Sequence, residues 1–133
     1  MAVTKSNIAN RLAETLILDI DANGTPEDNV FTGTTLASKI FQVVIDNSAC
    51  GAATYVRAQY ETSYTKASGA TNPSPDDLRL YAPANQSVTY TFPEGLVFTA
   101  GVSFLATSDT ADINGTAYTD PTGTVSVTIL GGT

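Results

Sequence analysis

The side chains that could do chemistry in this chain are acids and one cysteine, because the sequence contains no histidine. Asp19-Ile20-Asp21-Ala22-Asn23-Gly24 sets oxygen-bearing residues at the first, third and fifth places of a turn and glycine at the sixth, which is the first half of a calcium loop. The second half fails: the twelfth place, counted from Asp19, holds Val30 where a bidentate Glu is required. The stretch therefore reads as an Asn-Gly turn with solvated acids, and no metal or other cofactor is expected. Asp76-Asp77, and Asp109 with Asp112, bring carboxylates close enough in sequence to suggest glycoside hydrolysis. Both pairs lie in Ser/Thr/Asn-rich stretches, where acids are ordinarily solvated turn residues. Without histidine, neither a Ser-His-Asp nor a Cys-His relay can be assembled within the chain, and zinc loses its usual ligands. Cys50 then reads as a small apolar residue beside a turn. No catalytic residue is expected, and the chain reads as non-enzymatic.

Composition narrows the remaining classes. The 133 residues make one domain's length, sufficient to bury about two-thirds of the unfolded surface around a single core. Charged residues are 14% of the chain, well under the ~25% of ordinary domains, so Thr, Ser, Asn and Gln must carry the wet faces. The 13 acids against six bases give a net charge of −7, which repels phosphate backbones and anionic lipid. Neither nucleic acid nor a membrane is expected as a partner. The opening MAVTKSNIAN lacks the apolar core of a signal peptide, and no window approaches the ~18 apolar residues of a spanning helix, so a cytoplasmic product is expected. The Asn-x-Ser/Thr triplets at Asn23, Asn85 and Asn114 are then chance matches.

The elements that would position these residues are mostly strands. Val88-Thr-Tyr90-Thr-Phe92, Val102-Ser-Phe104 and Thr124-Val-Ser-Val-Thr-Ile129 alternate with a period of two, predicting strands with one buried and one wet face. Ile40–Ile45 is a short apolar run that predicts a strand buried on both sides, and Tyr55–Tyr60 alternates beside it as if in a meander or Greek key. Pro93-Glu94-Gly95 predicts the end of one strand before Leu96–Thr99 begins another, and Ala100-Gly101 a bulge or a bend between sheets. Asn114-Gly115 is a two-residue hairpin signal, and Gly131–Thr133 reads as a frayed end. Residues 61–77 form the longest loop, a candidate contact arm. At the N-terminus Ile8, Leu12 and Leu16 recur every four residues with polar residues opposite, predicting a short amphipathic helix, with a strand over 15–20 as the rival. The prediction is an all-β β-sandwich or jelly-roll-like domain of seven or eight strands over 31–133, preceded by a helix or arm and turn over 1–30.

The candidate binding residues follow from that arrangement. Ile8, Leu12 and Leu16 form an apolar stripe that a closed sandwich does not need. Tyr64, Tyr81 and Tyr118 are the aromatics in or near loops, suited to contacts with a partner surface. A carbohydrate-binding module is the alternative for exposed aromatics.

The order of features carries a resemblance. Asp46-Asn47-Ser48 is followed by small residues, by Tyr55-Val56-Arg57-Ala58-Gln59-Tyr60, by a Gly/Pro loop, by Leu80 to Pro83-Ala84, and by Phe92-Pro93-Glu94-Gly95-Leu96-Val97-Phe98-Thr99-Ala100-Gly101. Over residues 40–130 this resembles small structural proteins of tailed bacteriophages and prophages, with Ala58-Gln59-Tyr60 as a departure. The resemblance implies a capsid cement or decoration protein, without catalysis, located in the virion and assembled in the bacterial host cytoplasm. Its implied partners are a major capsid protein or another virion protein and further copies of itself, a trimer being the favoured homo-oligomer. A tail, neck or baseplate component is the alternative within the same family.

Overall fold

The computed structural model describes residues 2–10, 13–20, 38–62, 77–108 and 119–132, and within these the chain is all-β. Eight strands follow in order: β1 (Ala2–Asn10), β2 (Ala13–Ile20), β3 (Lys39–Asp46), β4 (Thr54–Gln59), β5 (Leu78–Ala82), β6 (Ser87–Val97), β7 (Ser103–Thr107) and β8 (Ser126–Gly132). They form a five-stranded sheet of order β1-β2-β8-β3-β6 and a three-stranded sheet of order β5-β4-β7, with every pairing antiparallel. The predicted β-sandwich is what the chain builds.

Alternation sets which residues meet between the sheets. In β3 and β8 the inward set is Val43, Ile45, Val127 and Ile129, with Val43 opposite Ile129 and Ile45 opposite Val127. The other sheet turns Val56, Ala58, Leu80, Ala82, Phe104 and Ala106 toward them, and the two sets form one cluster. Each fully buried large aliphatic or aromatic side chain contributes roughly 1.5–3 kcal/mol, so this interface is the main term holding the sheets together. Tyr90 adds a polar link between them: its hydroxyl donates to the Tyr81 carbonyl at 2.6 Å, joining β6 of one sheet to β5 of the other.

Several sequence expectations are corrected. The described residues of 4–18 are strand rather than helix: 4–10 lie in β1 and 13–18 in β2, which pairs with β1 and with β8, Ile17 opposite Ile129. A four-residue spacing suits a helix face, but four is also a multiple of two and so does not exclude strands; Ile8 falls in β1 and Leu16 in β2. The rival strand over 15–20 is the reading that holds. The chain's division at residue 30 falls outside the described residues. β3 and β4 are not a meander: they lie in different sheets, β3 between β6 and β8, β4 between β5 and β7.

Pro93 does not end a strand. β6 runs through it, because four residues of β6, Phe92 to Gly95, bulge out opposite the single residue Phe41. At an edge strand and within a bulge, proline's missing N–H costs no ladder bond. Gly95 closes the bulge at φ 79°, a conformation that favours glycine. Gly131 and Gly132 are not frayed either: both are buried, and they pair with Thr15 and Lys39. The bend at Ala100-Gly101 does carry the chain from one sheet to the other.

Candidate interaction surface and the hub beneath it

The best-defined polar centre is the turn after β3. Asn47 is wholly buried, and its Nδ2 reaches the carbonyls of Ala52 at 3.0 Å, Pro83 at 2.9 Å and Ala82 at 3.3 Å. Its Oδ1 accepts from the Thr54 hydroxyl at 2.7 Å, and its backbone N–H donates to Gln86 O at 3.0 Å. One amide thus ties the start of β4, the end of β5 and the β5–β6 turn to the end of β3. Asn85 N–H donates to Cys50 O at 2.9 Å, and Asn85 itself takes φ 58°, which asparagine tolerates better than most residues. Asp46 caps the turn from outside, accepting from Ser48 N–H and the Ser87 hydroxyl, each at 3.0 Å. Those bonds, the Ser48 ones foremost, hold the Asp46 carboxyl below its usual range.

The second face of the three-stranded sheet departs from the expected wet surface. β7 is buried at all five positions, and Arg57, Gln59, Ser103 and Thr107 are each no more than 1% exposed. Arg57 Nε donates to Thr107 Oγ1 at 3.1 Å. Polar strand residues, which alternation assigns to water, here form a buried polar layer. Tyr55 and Tyr81 border it, their rings 5.5 Å apart and tilted by 53°.

Around the β6 bulge the surface carries two shallow, open notches. Phe92 to Leu96 line one of about 410 Å³, and Phe41, Thr91, Phe92 and Pro93 line the other, of about 270 Å³. Among the described lining residues Glu94 is the single ionisable side chain.

The structure separates the sequence-predicted contact residues. Ile8 lies in β1, within the irregular pairing between Asn7 and Asn10, and Leu16 in β2 opposite Ser6. Tyr81 lies in β5, is 47% exposed, and is tied through its carbonyl to β6, at the opposite end of the five-stranded sheet from β1. Leu12, Tyr64 and Tyr118 lie outside the described residues. Sequence reasoning missed Asn47 and Arg57, although Asn47 stands in the first of the ordered motifs.

The groups weighed for chemistry find structural work or fall outside the described residues. Asp19 sits in β2 opposite Val127 rather than opening a loop. Asp77 accepts from Tyr60 N–H at 2.8 Å, and its own N–H donates to Ala58 O at 2.9 Å, which fixes one end of the 61–77 segment. Burial, and then the Asp77 charge, raises the Tyr60 phenol above its usual range. Cys50 is buried beside the turn, as expected. Asp76, Asp109, Asp112 and residues 21–30 lie outside the described set. Among the described residues no group of three or more ligating side chains converges.

No family model matches the chain, and no curated protein matches it. Among solved structures, the coat protein of Tobacco streak virus is similar over 97% of this chain and 85% of that one, at 12% identity and a TM-score of 0.35. An overlap of that size assigns the chain neither a fold nor a function.

Proposed function

We propose that this chain is a non-enzymatic virion structural protein, a capsid cement or decoration subunit that binds and stabilises a phage shell, with tail, neck or baseplate as the alternative location. The observation that carries the reading is the inequality of the two sheets. Five strands face three, and the surplus lies at the β1–β2 end, because Tyr90 fixes β6 beside β5 at the other. Among the described strands the outer edge of β1 pairs with no other, which leaves a strand for contact with neighbours. The motifs that carry the phage resemblance support the reading from within. Asp46-Asn47-Ser48 and Pro83-Ala84 are joined by the Asn47 amide, so their shared order reflects one folded hub rather than separate signatures.

The protein works as a homo-oligomer together with a capsid or other virion protein. A trimer is what the resemblance implies; the edges of the sandwich favour two-fold pairing instead. Saturable co-sedimentation of the purified protein with shells that lack it supports the reading, and shells that gain none of it contradict the reading. The tilted Tyr55–Tyr81 pair offers no flat platform for a sugar ring, so a glycan array is expected to stay silent.

A further inference from the structure

Of the four edges that the described strands leave in the two sheets, three carry protection against pairing with another chain. β6 has Pro93 and its four-residue bulge; β5 is five residues long, exposes Arg79 and runs into Pro83; β7 is buried throughout. Short strands, charge, proline, bulges and cover are the means by which sheets avoid edge-to-edge association. β1 is different. It is nine residues long, contains no proline, and pairs with β2 alone among the described strands. It carries one charge, Lys5, and none of the chain's 13 acids.

We propose that β1 is an interface strand that pairs antiparallel with β1 of a second copy across a two-fold axis normal to the sheet, joining two five-stranded sheets edge to edge. Charge favours a second copy as the occupant. Two bodies of net charge −7 repel least where the contacting strand holds no acid, as β1 does, although Asp19 of β2 lies opposite Val3 one strand away. An axis normal to the sheet leaves each side chain on its own face, so opposed residues share parity and the axis must pass through a residue position. Within the regular run Ala2–Asn7, an axis at Lys5 sets two like charges directly opposite each other, which is unfavourable. Thr4 and Ser6 are the remaining central positions, each placing Lys5 opposite a neutral residue. This contact extends the assembled-subunit reading, yet shell binding can survive its failure.

The test combines solution mass with single-cysteine cross-linking. Buried Cys50 provides a silent background. The native protein is expected at twice its 13.8 kDa mass, and one of Thr4→Cys and Ser6→Cys is expected to give a reducible covalent dimer under mild oxidation, while Lys5→Cys does not. Circular dichroism confirms that each variant is folded. A monomer, a trimer without cross-linking at Thr4 or Ser6, or preferential cross-linking at Lys5 overturns the proposal. If shells still bind such a protein, only the edge contact is lost and the proposed function stands.

Discussion

The Thr54 hydroxyl donates to Asn47 Oδ1 at 2.7 Å, and both residues are wholly shielded from water. This pair completes the amide's satisfaction: the oxygen takes Thr54, and the nitrogen serves the carbonyls around the β5–β6 turn. A buried group left unpaired costs roughly 1–3 kcal/mol, and Asn47 holds several at once.

Asn47→Ala is therefore expected to destabilise the fold by roughly 3 kcal/mol or more, and Asn47→Asp by a comparable amount, because a carboxylate would face the three carbonyls that the amide now serves. Thr54→Val should cost about 1–2 kcal/mol, since it removes a single donor. Urea denaturation of the three variants measures this. A cost for Asn47→Asp below that for Thr54→Val would contradict the hub.

Gly95 and Gly51 provide a matched pair. A Cβ on Gly95 would lie 2.8 Å from Lys39 Cδ and 2.9 Å from Lys39 Cβ, and the backbone there has φ +79°. Gly95→Ala should cost more than about 1 kcal/mol. At Gly51 nothing lies within 4 Å, so Gly51→Ala should be neutral or slightly stabilising through the unfolded chain. Thermal midpoints that shift alike for the two would refute the bulge geometry.

The Asp46 carboxyl titrates lower in the folded protein than in the unfolded chain. Its contribution to stability is complete above the ordinary carboxylate pKa of about 4 and disappears as the pH falls through the lowered folded value. Asp46→Asn should be less stable than the native protein at neutral pH, with the gap closing below about pH 4. A gap that stays constant on acidification would remove the Ser48 and Ser87 bonds as its cause.

Much of this fold is legible in the sequence. The period of two in Val88–Phe92 and Val125–Ile129 places the right residues inward, whereas the seven or eight strands expected over 31–133 are six among the described residues there, with two more in the segment read as a helix or arm. The failures have physical causes. Proline and glycine at 93–95 resemble a strand end because an edge bulge demands the same residues. The N-terminal stripe suits two periodicities at once. Arg57 and Gln59 look solvated in sequence because alternation along one strand assigns polar residues to water and does not encode whether a sheet's second face is also buried. Asn47 resembles any turn asparagine until β5 brings Pro83 to it.

The proposed non-enzymatic role is also open to test. Purified protein incubated with a panel of polysaccharides is expected to release no reducing sugar. Turnover that is abolished by Asp76→Asn or Asp109→Asn would replace the structural reading with an enzymatic one.

The most direct measurement of the proposed virion role is the position of the chain in a particle reconstruction. The account predicts density for the eight-stranded sandwich on the outer shell, seated at junctions between capsid subunits. Density confined to neck, tail or baseplate would contradict the cement role, and particles that contain none of the chain would contradict the virion assignment itself.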